Sequence, residues 1–294
     1  MSNNVDISSR ALLVSLRLNS WSARKYDKKV TKEVIEQHGT GEEAGRFNKS
    51  LLPAERPSYK ELTSFIASVR TRHYELTLPW GEEWTRLLPI ANHEKYQELQ
   101  KEADREIPRL KRAFLSEYPT LKENARKFLN TMYNEEDYPS VADIGNKFQI
   151  SFVITSVPAG DFRVGLSNEV LAVLRSQEHS RVQAATKVAM DDTWQRLYDV
   201  VRHMSERLAP GAIIRDVLID NLQEQCDLLA RLNITGDSRF EKLRQDTLKK
   251  LAAYSVEAIK ADKHTRALMA QSADQILTSI RGARRIKVAV PKAA

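Results

Sequence analysis

The run Trp194-Gln-Arg-Leu197-Tyr-Asp-Val-Val201-Arg-His-Met204-Ser-Glu-Arg-Leu208 sets apolar side chains at steps of three and four. That spacing returns to one face of a helix with 3.6 residues per turn. The helix extends far upstream, because neither proline nor glycine interrupts Asn168 to Leu208. At 1.5 Å per residue its length is about 60 Å, more than the width of a compact domain. An elongated molecule or an oligomer follows, with Trp194, Leu197, Val201, Met204 and Leu208 as the expected seam between copies. Pro210-Gly211 ends the helix, and three more are predicted at about Ile213 to Leu232, Ser238 to Tyr254 and Asp262 to Ile280.

Upstream the period changes from helix to strand. Phe148, Ile150, Phe152 and Ile154 alternate within a β-branched run ending at Val157. A turn at Pro158-Ala-Gly-Asp161 should return the chain antiparallel through Phe162-Arg-Val164. Leu12, Val14, Leu16 and Leu18 alternate in the same way, and a lone hairpin is marginal. The Ala11–Leu18 strand is therefore expected to pair with it. The predicted fold is mainly α with a small antiparallel β-sheet (α+β), an elongated helical bundle with one very long helix. Three regions are expected: 1–166, helical with the sheet; 167–283, the long helix and bundle; and 284–294, a basic tail that could add a strand.

Shorter signals divide the first region. Ser20 or Ser22 should cap a helix to about Gln37, closed by Gly39, and a short helix should cover Glu42 to Ser50. Ser58-Tyr-Lys-Glu61 and Thr120-Leu-Lys-Glu123 read as capping boxes, and Ser140 as another helix start. Pro108 should kink or split the helix running from Asn92 to Tyr118. Trp84, Leu87 and Leu88 read as an apolar turn before Pro89.

Composition excludes several function classes. Cys226 is the only cysteine, so there is no intrachain disulfide and no cysteine-rich zinc site. The six histidines never stand three or four apart, and the acidic clusters Asp191-Asp192 and Glu135-Glu136-Asp137 lack the spacing of a calcium loop. No phosphate-binding glycine loop, nucleophile elbow or His-Glu-x-x-His pattern occurs. Catalytic residues, metal ligands and cofactors are accordingly assigned as none. The N-terminus lacks the blocks of a signal peptide, and no apolar run reaches membrane-spanning length. The expected location is the cytoplasm, with no membrane partner.

The net charge of +7, with a pI near 9.3, favours polyanions in general. Basic and aromatic residues interleave between Ser20 and Trp80. Arg24, Lys25, Lys28, Lys29, Lys32, Arg46 and Lys49 are the candidate phosphate contacts, with Lys25, Lys28, Lys29 and Lys32 forming one stripe if a helix starts at Ser22. Trp21, Tyr26, Phe47, Tyr74 and Trp80 are candidate platforms for unpaired bases, and Trp84 lies close by. The competing structural reading puts the aromatics in the core and pairs the lysines with Glu33 and Glu36.

Several of these segments resemble an uncharacterised family of proteins encoded by tailed bacteriophages and prophages. The resemblance rests on Ser22-Ala-Arg-Lys-Tyr-Asp-Lys-Lys-Val30, Ala44-Gly-Arg-Phe-Asn-Lys49, His73-Tyr74, Thr77-Leu-Pro-Trp80, Leu88-Pro89, Asp137-Tyr-Pro139 and Asp161-Phe-Arg163. It implies a bacterial host cytoplasm and a setting in phage DNA metabolism, and brings no assigned activity and no catalytic residues. The leading expectation is a non-enzymatic homo-oligomer that binds nucleic acid, single-stranded in preference. The alternative is a helical scaffold, or an inhibitor that binds a host protein through the long helix.

Overall fold

The computed structural model describes residues 7–81, 84–161 and 165–285. Its elements in chain order are β1 (Ala11–Asn19), β2 (Arg24–Tyr26), α1 (Lys28–His38), β3 (Asn48–Ser50), α2 (Pro57–Leu76), β4 (Leu78–Pro79), β5 (Thr85–Pro89), α3 (His93–Leu129), α4 (Val141–Asn146) and β6 (Gln149–Ser156). They continue with α5 (Asn168–Leu208), α6 (Leu218–Leu232), α7 (Ser238–Leu251), α8 (Val256–Ala261) and α9 (Lys263–Arg285). The fold is mainly α, with a four-stranded antiparallel sheet and the 41-residue helix that the uninterrupted run predicts. Short 3-10 turns fill several joints, among them Ile7–Ser9 and Ile90–Asn92.

The sheet order is β4-β5-β1-β6. The predicted strands at Ala11 and Phe148 are both present. Between β4 and β1 lies β5, paired antiparallel with Ala11 opposite Pro89 and Ser15 opposite Thr85. The turn expected at Trp84–Leu88 is therefore corrected to a strand from Thr85. Leu87 and Leu88 are adjacent and both fully buried, so five residues could show no alternation. The expected return strand at Phe162–Val164 lies outside the described residues, as does the tail beyond Arg285.

The described residues divide into two compact units, each discontinuous in sequence. Unit 1 gathers those of Met1–Ser15, Tyr74–Tyr96 and Val153–Ala294; unit 2 gathers Leu16–His73 and Gln97–Phe152. The expected boundary at 166/167 falls inside unit 1.

In unit 1, α5 packs against α6, α7 and α9. Trp194, Leu197, Val201, Met204 and Leu208 are all at most 2% exposed, within a core that includes Phe240, Leu251, Ile276 and Ile280. The Trp194 ring meets Phe240 edge-on at 5.1 Å. The expected oligomer seam is thus corrected. Its periodicity holds, but the chain's own helices cover it. A sequence shows that a face is apolar and not what lies against it.

Unit 2 is built on an aromatic cluster. Trp21 stands 6.2 Å from Tyr59 and 5.9 Å from Tyr118, both edge-on, and Phe114 meets Phe148 at 5.5 Å. The phenol of Tyr59 donates to the Trp21 carbonyl at 2.9 Å. Leu99, Ala103, Ile107, Leu110, Phe114, Tyr118, Leu121, Ala125 and Leu129 form an unbroken buried stripe on α3. That stripe carries one continuous helix through Pro108, where a kink or split was expected, and through Pro119, just past the helix end expected at Tyr118; both prolines are exposed. Burying so many apolar side chains outweighs the roughly 3 kcal/mol cost of each interior proline. Thr120 accordingly lies inside α3 and opens no helix. Ser58 makes no capping box either, because its hydroxyl and backbone N–H both donate to Glu117.

Candidate functional site

The basic-aromatic segment folds in unit 2, and its start differs from the expected helix. Trp21 is buried, and Ala23 takes a left-handed backbone at φ 52°. Arg24–Tyr26 then pairs antiparallel with Asn48–Ser50, Arg24 opposite Ser50 and Tyr26 opposite Asn48. The helix begins only after Asp27, whose carboxylate accepts the Val30 N–H at 3.2 Å. Asp27 was a legible cap, one of the preferred N-cap types directly before Lys28-Lys29-Val30. The second strand was not legible, because three residues hold no period. The helix expected from Glu42 to Ser50 is corrected to turn and strand: the Phe47 carbonyl accepts from Asp27 N–H at 3.0 Å, and the Phe47 N–H donates to Thr31 Oγ1.

This geometry separates the candidate cations. Lys49 is 6% exposed and is withdrawn as a phosphate contact. Its ammonium lies 3.2 Å from an Asp27 oxygen and 2.8 Å from Asp137, and donates to the Met132 carbonyl at 2.7 Å. Burial opposes that charge, but the hydrogen bonds and fields of Asp137 and Asp27 outweigh it and raise the Lys49 pKa. Asp27 is held below the usual carboxylate range by the Val30 N–H and, against its own burial, by Lys49. Three side chains thus lock β3 to the start of α1 and to the Glu135–Asp137 turn.

The single lysine stripe does not form, since Lys25 lies on β2 and the others on α1. Lys29 pairs with Glu33 at 3.9 Å and Lys32 with Glu36 at 3.6 Å, as the competing reading expected. Such exposed pairs are weak. Lys25 stays 57% exposed, with Asp137 at 3.9 Å. Among the described residues, Arg24, Lys28 and Arg46 are exposed and make no ion pair.

The aromatics divide too. Trp21 and Trp80 are core residues at 9% and 5% exposure and are withdrawn as stacking platforms. Tyr26 and Phe47 remain open at 40% and 39%, and the Arg46 guanidinium sits over the Tyr26 ring at 5.9 Å. Tyr74 is exposed in unit 1, under the guanidinium of Arg86 at 4.5 Å. Trp84, also in unit 1, is the most exposed aromatic among the described residues, at 77%. What remains exposed on unit 2 is Arg24, Lys25, Tyr26, Lys28, Arg46 and Phe47, on β2, the start of α1 and the approach to β3; on β2, Arg24 and Tyr26 share one face and Lys25 takes the other.

Among the described residues no cluster of metal-ligating side chains occurs, and no helix is long and apolar enough to cross a membrane. Cys226 is buried, and burial pushes its thiol up to about 11, the opposite of an activated nucleophile. Comparison of the chain with protein-family models, curated proteins and solved structures found no match.

Proposed function

We propose that the protein binds single-stranded nucleic acid on the unit 2 surface, with Arg24, Lys25, Lys28 and Arg46 on phosphates and Tyr26 and Phe47 against bases. One observation carries the reading: two aromatic side chains about 40% exposed stand on adjoining segments with Arg24, Lys28 and Arg46, which make no ion pair among the described residues. Exposed rings cost hydration free energy unless something covers them, and a base offers a flat π-face. Guanidinium and ammonium groups supply the salt-sensitive attraction to the backbone. A duplex hides its base faces, so the rings favour an unpaired strand. The resemblance to phage-encoded proteins rests partly on Ser22–Val30 and Ala44–Lys49, the two segments that build this surface. The setting we infer from it is phage DNA metabolism in a bacterial cytoplasm.

The test compares a single-stranded oligonucleotide with its duplex by fluorescence anisotropy, using the wild-type chain and a Tyr26→Ala, Phe47→Ala variant. Removing each stacking ring should cost about 1–3 kcal/mol on the single strand and little on the duplex. Equal losses on both would remove the role given to the rings.

A further inference from the structure

Unit 1 contains an open cleft of about 1020 Å³, remote in sequence from the surface above. Its walls come from the Ile7–Arg10 segment, the Pro158–Gly160 turn, one face of α5 and the Thr235-Gly236 turn. Two arginines define it. Gly236 has φ +67° and Gly160 has φ +70°, a backbone that other residues rarely adopt. A Cβ on Gly236 would lie 3.9 Å from Arg10 Nη1, and one on Gly160 would lie 3.8 Å from Arg175 Cγ. Each left-handed turn therefore closes directly against an arginine.

The polar groups are unequal in kind. Arg10 Nη1 donates to the Ile234 carbonyl at 3.3 Å, which anchors one of its five N–H groups and leaves the rest of the fork. Arg175 makes no ion pair among the described residues. Glu178 is the one carboxylate among the described lining residues, and Arg181 grips both its oxygens, at 2.7 and 3.2 Å. His179 and Gln183, one turn apart on α5, are hydrogen-bonded to each other at 2.7 Å. The cleft is thus rich in donors and poor in free negative charge. No Phe, Tyr or Trp is among the described lining residues, and the one aromatic ring there, His179, is held by Gln183. Its size sits at the upper end of small-ligand sites, roughly 300–1,000 Å³.

We infer that this cleft binds a phosphoryl-bearing anion, with Arg10 and Arg175, which both line it, taking phosphate oxygens. Guanidinium forks match phosphate in two-pronged geometry, and two of them lining a cleft of this volume suit a diphosphate better than a single phosphate. The phosphoryl group could come from a free polyphosphate or from a nucleic-acid backbone, and the two sources separate experimentally.

Isothermal titration of the full chain with sodium pyrophosphate is the test, run on the wild type and on Arg175→Gln, Arg10→Gln, Lys28→Gln and Lys101→Gln. Saturable binding is expected, weakened at least about tenfold by either cleft substitution, as loss of a charge-assisted hydrogen bond requires. Lys101→Gln, an exposed position on α3 outside both surfaces, should leave it unchanged. No saturable heat, or equal affinity in Arg175→Gln, overturns the site. A parallel titration with a single-stranded oligonucleotide assigns the source. If Arg175→Gln leaves oligonucleotide affinity intact, the ligand is a free polyphosphate; if it costs a similar factor, the site stands with a polynucleotide backbone in it. Oligonucleotide binding that fails in Lys28→Gln while pyrophosphate binding persists separates this inference from the unit 2 reading.

Discussion

Replacing Lys49 by methionine tests whether a residue first read as a phosphate contact is instead an internal strut. The substitution keeps most of the side-chain length and removes the charge. It leaves the carboxylates of Asp27 and Asp137, 12% and 10% exposed, without their shared cation, and the Met132 carbonyl without its donor. Removing one partner from a buried ion pair costs about 3–5 kcal/mol, because the remaining charge stays desolvated. Here two like charges remain, so the upper half of that range is expected. For a protein of this size the loss lowers the melting temperature by on the order of 10 °C. Thermal and urea unfolding followed by tryptophan fluorescence measures it, since Trp21 is buried in the same unit. Lys28→Met is the control, an exposed position expected to stay within about 0.5 kcal/mol of wild type. Adding Asp137→Asn to Lys49→Met should recover part of the loss. Equal stability of the Lys49 and Lys28 variants would refute the strut and return Lys49 to the binding surface.

Further outcomes follow from the same geometry. Trp194→Ala should cost about 3–5 kcal/mol through the cavity left beside Phe240, and the loss should not change with protein concentration, as a subunit seam would require. Acid should destabilise unit 2 from about pH 4 downward. Asp27 and Glu135 both have folded pKa values below their unfolded ones, Glu135 at about 2 through hydrogen bonds from Lys122 and Tyr133. Their contribution is therefore complete above the unfolded values and is lost as pH falls through the folded ones. Unfolding midpoints between pH 5 and 2 measure this, and Asp27→Asn should flatten part of the slope; an unchanged slope would contradict it. Arg46→Ala should leave stability within about 0.5 kcal/mol while lowering the magnitude of the salt dependence of nucleic-acid binding by about 0.7 for each phosphate that the side chain no longer meets.

Much of the architecture was legible because long elements carry period. The run from Asn168 to Leu208, the Ala11 strand and the Phe148 strand each repeat their apolar spacing several times. Short elements carry no period, and β2, β3 and β5 escaped for that reason. The split at Pro108 and the helix end at Tyr118 did not occur, because a stripe from Leu99 to Leu129 overrode the local preference. For the candidate surface, the sequence named the right segments and could not sort their side chains. Lys49 and Arg46 stand three residues apart, yet one is locked between carboxylates and the other rests over Tyr26. That difference comes from Asp137, almost ninety positions downstream, so no local pattern could reveal it. Arg10 and Arg175 were equally hidden, since their cleft joins segments from three parts of the chain.

The most direct measurement is the affinity for a fluorescent single-stranded oligonucleotide of about 16 nucleotides as salt rises from about 50 to 200 mM. With Arg24, Lys25, Lys28 and Arg46 each meeting a phosphate, the slope of log K against log salt should be near −3, about a fifty-fold loss over that range. Replacing Arg24 and Arg46 together by glutamine should bring it to roughly half. An undetectable interaction at the lowest salt, or a slope that ignores the double replacement, would contradict binding at this surface.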